Sequence, residues 1–409
     1  MLNFPNLKGL QRPSSPSSVP AHMAQALAMV REGRLQEASA LLMGHRKTAE
    51  DVGPETPSKP APPSQRMSDW AARGLASVQD VLDKMDLPEG RHSAAPARAA
   101  ASPTHPPRTS DSRTQAAPTR PAEPGRFECV AFMHNGVSHP YFLYTPQTAA
   151  PAGGRPLVMM LHGCTQDAQD FARGTCMNAT AEAAGALVLY PTQSQSANAN
   201  GCWNWFRPED QKCGAGEPAL LRAMLQHAME AQPVDSQRVF VAGLSAGGAM
   251  AAVMAEQYPR VFAGVGVHSG LPPGAATSMM GALSAMKSGA KGWRASLSRG
   301  GERVVPMIVV HGDADKTVHK RNAEQLLQSV ATTVQTQDKG VSSDGQQYTR
   351  TCVLDPAVPG QVVAECWLLR GAGHAWSGGD ARGSHTSAHG VNASAEMMRF
   401  FLAQAARGA

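Results

Sequence analysis

A serine stands between two glycines at the point where an apolar run gives way to a helical pattern. The segment is Gly243-Leu244-Ser245-Ala246-Gly247, with the apolar run 238–242 before it and the alanine- and methionine-rich run 248–256 after it. A strand, a sharp turn and a helix in that order form a nucleophile elbow, which requires small residues around the nucleophile. The alternative interpretation is an ordinary glycine-rich turn, because the bare G-x-S-x-G pattern is short.

A serine hydroxyl is a weak nucleophile, so it needs a base and an acid that orients the base. In enzymes with such an elbow, the acid and then the histidine follow the serine along the chain. Asp315 lies just beyond an apolar run, and His374 lies in a glycine-bracketed loop after a later one. We therefore predict Ser245 as nucleophile, Asp315 as acid and His374 as base. Asp313 competes for the acid role, but its position beside the strand end favours capping of the turn.

The negative oxygen that forms when a carbonyl is attacked needs backbone N–H donors. One donor is expected from the residue after the nucleophile, Ala246, and the other from the loop after the first central strand. That strand is predicted at 156–161, and His162-Gly163-Cys164-Thr165-Gln166 follows it. The amides of Cys164 and Ala246 are therefore the predicted oxyanion donors, and His162 is interpreted as a brace of the loop.

Three tryptophans are candidates for the substrate pocket. Trp203 and Trp205 lie in the long polar segment 191–215, and loops of that length inside a compact domain are usually functional. We expect one of the two indoles to wall the pocket and the other to pack in the core; their spacing leaves open which does which. Trp376, beside His374, is expected to border the same pocket.

Strand-like and helix-like runs alternate through residues 127–409. The alternation predicts an α/β fold with a mostly parallel sheet flanked by helices on both faces. A helix is predicted at 167–184, and an antiparallel hairpin is predicted around His134-Asn135-Gly136.

Residues 1–126 have a different composition and are predicted to be a largely disordered extension. The segments 49–65 and 89–124 are rich in proline, alanine, serine and threonine and poor in large apolar residues. Two short helical islands, 22–43 and 68–86, interrupt them. These islands either dock on the enzyme's own surface or bind a hydrophobic granule or a partner.

The net charge and the first residues of the chain bear on whether it binds nucleic acid and on the compartment in which it is expected. The net charge of +5 is mild, so no nucleic-acid partner is expected. The start lacks the apolar core of a signal peptide, and no run is long enough to cross a membrane. The expected location is the cytoplasm, and export without a signal peptide is the alternative.

Several motifs occur together in this chain. They are Leu161–Gln166, Cys202–Phe206, Gly216–Pro218, Gly243–Gly248, His268–Gly270 and Gly371–Gly379. As a set they resemble the poly(3-hydroxybutyrate) depolymerase family of esterases and the neighbouring feruloyl and acetylxylan esterases. The resemblance implies an α/β-hydrolase fold over residues 127–409 and a triad of Ser245, Asp315 and His374. It also implies no metal or cofactor, and hydrolysis of hydroxybutyrate-type esters or polyesters. The alternatives are a feruloyl or acetylxylan esterase and a non-catalytic granule-associated protein.

The seven cysteines leave at least one thiol unpaired within a monomer. Two pairs are candidates for a bridge. Cys164 and Cys202 would brace the oxyanion loop against the tryptophan loop, and Cys352 and Cys366 lie on adjacent antiparallel strands. Free thiols are the default in a reducing cytoplasm, so the sequence leaves undecided whether these two disulfides form.

Overall fold

The structure is a computed structural model that describes residues 124–293, 303–330 and 334–405. The islands predicted at 22–43 and 68–86 lie outside these residues. The strands are β1 (Arg126–Val130), β2 (Met133–His134), β3 (Val137–Ser138), β4 (Tyr141–Thr145), β5 (Arg155–Leu161), β6 (Leu187–Pro191), β7 (Val234–Leu244), β8 (Gly264–His268), β9 (Met307–Gly312), β10 (Gln335–Val341), β11 (Gln347–Leu354), β12 (Val362–Leu369), β13 (Trp376–Ser377) and β14 (Thr386–Ser387). The helices are α1 (Ala168–Thr175), α2 (Met177–Ala184), α3 (Gly216–Ala231), α4 (Ala246–Gln257), α5 (Met279–Ser288), α6 (Arg321–Gln328) and α7 (Ala393–Ala405), with a 3₁₀ turn at Pro208–Gln211.

Ten strands form one sheet in the order β1-β4-β6-β5-β7-β8-β9-β12-β11-β10. From β6 to β12 each strand runs parallel to its neighbour. The two ends of the sheet are antiparallel. The predicted mostly parallel sheet is therefore confirmed, and the carboxyl ends of its six parallel strands meet at one edge, where such sheets carry their ligand sites.

Both faces of the sheet are covered, as a parallel sheet requires. Alternate residues of β5 enter different apolar clusters, with Leu157 and Met159 in one and Val158 and Met160 in the other. Residues of α3 to α6 belong to the first cluster, and residues of α1, α2 and α7 belong to the second. The predicted helices on both faces are thus confirmed, and the strands that carry the candidate site are held from both sides.

Three local features differ from the predictions. The helix expected over 167–184 is two helices, because Cys176 between them has a left-handed backbone with φ of 53°. Strand β10 was not predicted, because it is an edge strand with mostly exposed polar residues and no apolar alternation. Helix α5 was also missed. The hairpin around Asn135 and Gly136 is confirmed, and both residues have positive φ.

The cysteines resolve into one bridge and separate thiols. Cys164 and Cys202 form a disulfide, whereas Cys352 and Cys366 are free. In the antiparallel register Cys352 pairs with Glu365, and Cys366 pairs with Thr351. The two cysteines are therefore offset by one residue, and since successive side chains point to opposite faces, their sulfurs cannot meet.

No helix within the described ranges is both long and apolar enough to cross a membrane.

Candidate active site

Ser245 occupies a strained turn between β7 and α4. Its backbone has φ of 56° and ψ of −117°. Residues other than glycine rarely adopt this conformation, and such strained residues cluster at functional sites. Its amide donates to the carbonyl of His268 on the neighbouring strand at 2.9 Å. A Cβ on Gly247 would lie 2.0 Å from the carbonyl oxygen of Leu161, so this position accommodates only glycine. The strand, turn and helix predicted around the serine are confirmed.

Asp315 and His374 form a hydrogen-bonded pair. His374 Nδ1 donates to Asp315 Oδ2 at 2.7 Å, while Oδ1 of the same carboxylate accepts from the amides of Thr317 and Val318 at 2.9 and 2.8 Å. Burial by itself raises the pKa of Asp315, but the hydrogen bonds from His374 and Val318 and the electrostatic interaction with His374 outweigh it, so the pKa lies below its ordinary value. An ionised Asp315 holds the His374 proton on Nδ1 and leaves Nε2 as an acceptor.

Asp313 has a different partner. Its Oδ1 accepts from the amide of Gly371 at 2.6 Å, and its own amide donates to the carbonyl of Leu369 at 2.9 Å. This carboxylate therefore ties the end of β9 to the loop after β12, 58 residues away, instead of capping its own turn as the sequence suggested. The structure brings Asp315, and not Asp313, to the imidazole of His374.

The loop after β5 runs beside the serine. A Cβ on Gly163 would lie 3.7 Å from the Cβ of Ser245. The amide of Gly163 donates to Gln166 Oε1 at 2.9 Å, and the amide of Thr165 donates to the carbonyl of Asn200 at 2.8 Å. Cys164 lies between these two anchored amides and is bonded to Cys202. The loop is thus held on both sides of the predicted donor.

The second predicted donor, Ala246, is the first residue of α4. Amides of the first helical turn have no acceptor within the helix, and the helix dipole adds partial positive charge there. His162 is a brace, as interpreted from the sequence. It is fully buried, its Nδ1 lies 2.8 Å from the Gly163 carbonyl, and its Nε2 accepts from the amide of Gln193 at 3.1 Å.

The three tryptophans predicted for the substrate pocket are all buried. Trp203 and Trp205 are 1% and 5% exposed and belong to the same apolar cluster. Trp376 is 0% exposed, packs edge-on against Phe171 and donates from Nε1 to Ser394 Oγ at 3.2 Å. Which of these indoles borders the substrate therefore stays a prediction.

Comparison with known proteins shows to which family this chain belongs. The family described as Esterase PHB depolymerase matches residues 139–341. Feruloyl esterase B of Neurospora crassa is 30% identical over 203 residues, which cover 46% of this chain and 67% of that protein. The chain belongs to the PHB depolymerase family of esterases.

Two depolymerases also match this PHB-family esterase. Poly(3-hydroxyalkanoate) depolymerase C of Paucimonas lemoignei is 38% identical over 181 residues, and poly(3-hydroxybutyrate) depolymerase of Ralstonia pickettii is 34% identical over 156. The matches cover 42% and 36% of this chain but only 44% and 32% of those proteins. The chain thus spans less than half the length of the two depolymerases that it matches.

A solved structure supports the fold of the PHB-family esterase. The acetyl xylan esterase from Aspergillus awamori superimposes with a TM-score of 0.52 at 22% identity, over 61% of this chain and 94% of that one. At that identity the likeness establishes the α/β-hydrolase fold alone.

Two structural residues of this family member had no role assigned from the sequence. Glu217, in the Gly216–Pro218 motif, accepts from Asn204 Nδ2 at 2.6 Å and from the Asn204 amide at 2.7 Å. It therefore anchors the tryptophan loop to the start of α3. His268 lies in the His268–Gly270 motif and is fully buried. The signal for both was their presence in recognised motifs, but a motif does not say which atoms its side chain meets.

Proposed function

We propose that this chain is a serine esterase that cleaves poly- or oligo(3-hydroxybutyrate)-type esters through a covalent acyl-enzyme. The observation that carries the proposal is the His374–Asp315 hydrogen bond at the sheet edge where the strained Ser245 turn also lies. Strands β7, β8, β9 and β12 are consecutive in the sheet, so the loops after them leave it side by side. Membership of the PHB depolymerase family supports ester hydrolysis.

The proposed reaction has two halves. Ser245 Oγ attacks the ester carbonyl while His374 Nε2 takes its proton, and the ester C–O bond breaks as that proton passes to the leaving alcohol. Water then attacks the acyl carbonyl and gives a proton to His374, and the bond to Ser245 Oγ breaks as that proton passes to Oγ, which releases the carboxylic acid and restores the serine hydroxyl. Asp315 stabilises the imidazolium in both halves, and the amides of Cys164 and Ala246 donate to the oxyanion.

The nucleophile is tested by comparing Ser245→Ala with the full-length wild type on p-nitrophenyl butyrate. Removal of a triad serine lowers turnover by about 10⁶-fold. Ser288→Ala is the matched control, because its hydroxyl is exposed and donates to the carbonyl of Ser284 within α5. The proposal fails when the Ser245→Ala protein hydrolyses the ester as fast as wild type and Ser288→Ala.

The substrate class is a finer part of the proposal. Two matching relatives are named as hydroxyalkanoate or hydroxybutyrate depolymerases. A feruloyl or acetylxylan ester is the second candidate, favoured by the feruloyl esterase B of Neurospora crassa, of whose length this chain covers 67%. Mass spectrometry of products decides between them after incubation with hydroxybutyrate oligomers and, separately, with acetylated or feruloylated sugars. Release of acetate or ferulate without hydroxybutyrate would favour the second candidate.

Granule binding by the islands at 22–43 and 68–86 is part of the same proposal. The test is co-sedimentation of the full chain with hydroxybutyrate granules, compared with a chain that lacks residues 1–125. Equal sedimentation of the two proteins removes this role.

The Cys164–Cys202 disulfide bears on the compartment. Such bonds persist mainly where the environment is oxidising. We therefore propose that the protein acts outside the cytoplasm. Thiol titration of denatured protein from the producing cells, taken without reductant, tests this. Five free thiols are expected, whereas seven would indicate a reducing compartment.

A further inference from the structure

We infer that His268 is a positioning residue that holds the serine turn and the loop of the catalytic base in one fixed arrangement. The inference rests on the proposed function, because it assigns work to Ser245 and His374. His268 is the last residue of β8, which lies between β7 and β9 in the sheet. It is 1% exposed, so it has no route to substrate and acts only through its neighbours.

The backbone of His268 holds the nucleophile. Its carbonyl accepts from the Ser245 amide at 2.9 Å, and Leu244 is its register partner on β7. This hydrogen bond falls at the strained residue itself. A shift at the end of β8 would therefore move the nucleophile directly.

The side chain of His268 holds the base loop. Its Nε2 accepts from the amide of Ser377 at 3.1 Å, and its ring stacks on Trp376 with centroids 5.1 Å apart and planes 26° from parallel. Trp376 follows His374 by two residues. Within the described ranges, one residue thus joins the turn of the nucleophile to the loop of the base, which come from distant parts of the chain.

The hydrogen bonds require a neutral imidazole with a defined proton. Because Nε2 accepts, the proton must be on Nδ1, which lies 3.2 Å from Ser269 Oγ. Burial, followed by electrostatic interaction with His311 and His374, lowers the pKa of His268 to about 3. The acceptor on Nε2 is therefore present throughout the pH range in which the esterase would work.

A purely structural role predicts that any well-packed replacement suffices. The positioning role predicts instead that the acceptor at Nε2 matters. His268→Phe keeps an aromatic ring against Trp376 and removes the acceptor. His268→Gln loses the ring but can bring an amide oxygen to the former Nε2 position.

The test measures kcat and KM on p-nitrophenyl butyrate, and thermal midpoints, for both full-length variants. A misplaced catalytic group costs on the order of 10²-fold. We expect His268→Phe to lose about 10²-fold in kcat while its KM stays within about twofold, because binding surface is unchanged. His268→Gln is expected to recover to within about 10-fold of wild type. If the phenylalanine variant does not fold, His268→Asn replaces it, because the shorter amide cannot reach Ser377.

A folded His268→Phe protein with wild-type kcat would overturn the inference. So would a glutamine variant that is as slow as the phenylalanine variant at an equal thermal midpoint. Failure of the proposed function gives a different result, since wild type itself would then hydrolyse the ester no faster than Ser245→Ala.

Discussion

Nδ1 of His374 lies 2.7 Å from Oδ2 of Asp315, although 59 residues separate the two in the chain. They meet because β9 and β12 are parallel neighbours, so the loops after them leave the sheet at the same edge. Asp313 adds a second tie between these loops through the amide of Gly371. The base is thus held by a carboxylate that is itself fixed by two backbone amides.

The two neighbouring carboxylates are expected to differ sharply on substitution. Asp315→Asn replaces the acceptor of the His374 proton with an amide that favours the wrong tautomer, and a fall of about 10⁴-fold in kcat is expected. Asp313→Asn is the matched control, because an asparagine oxygen still accepts from Gly371, and its kcat should stay within about threefold of wild type. Steady-state kinetics on p-nitrophenyl butyrate measure both; a larger loss in Asp313→Asn would reverse the assignment.

The serine turn is expected not to tolerate a methyl group at Gly247. A Cβ there would lie 2.0 Å from the Leu161 carbonyl oxygen and 2.4 Å from that of His162, and both are backbone atoms. Gly247→Ala should lower the free energy of unfolding by about 3 kcal/mol or prevent folding. Gly153→Ala is the control, because nothing lies within 4 Å of its added Cβ, and it should change stability by less than about 0.5 kcal/mol. Urea unfolding compares the variants, and equal midpoints would contradict the turn geometry.

Loss of the Cys164–Cys202 bridge should reduce both stability and turnover. It closes a loop across a sequence separation of 38, for which chain entropy predicts about 4 kcal/mol. The double Cys164→Ser, Cys202→Ser protein should also show lower kcat, because the proposed oxyanion donor loses an anchor. Cys213→Ser serves as control, since that thiol is free and exposed. An unchanged unfolding midpoint in the double variant, or in wild type after reduction, would show that the bridge does not stabilise the fold.

The free energy of unfolding should contain a component from Glu217 that falls as pH rises. Burial and then the charge of Asp210 raise its pKa from 4.5 to about 7. Between these values the unfolded chain has released the proton that the folded chain retains, so stability decreases across this window and is constant above it. Across this window the free energy of unfolding is expected to fall by about 3 kcal/mol.

Denaturant unfolding at several pH values between 4.5 and 8 tests this in wild type and Glu217→Gln. The difference between the two curves is the informative quantity, because buried histidines such as His162 and His268 have lowered pKa values and contribute with the opposite sign. Parallel curves for the two proteins would exclude the assigned shift of Glu217.

Where sequence reasoning succeeded, the required residue types were local. The elbow needs glycine within two residues of the serine, and the acid and the base each follow an apolar run that forms a strand. Where sequence reasoning left alternatives open, the answer depended on distant partners. The sequence left open which of Trp203 and Trp205 packs in the core, and in the structure both are buried, because the burial of a loop residue depends on what packs over it.

By itself, the sequence determined the α/β alternation, the serine turn, the order of the acid and the base, and the family. These follow from local backbone sterics and from motifs that each lie within a few consecutive residues. Only the tertiary structure decided that Asp315 pairs with His374, that Cys164 pairs with Cys202 while Cys352 and Cys366 stay apart, and that His268 contacts both the serine turn and the base loop. The physical reason is strand register: a shift of one residue moves a side chain to the opposite face of the sheet, and pairing across tens of residues is set by the packing of the whole domain.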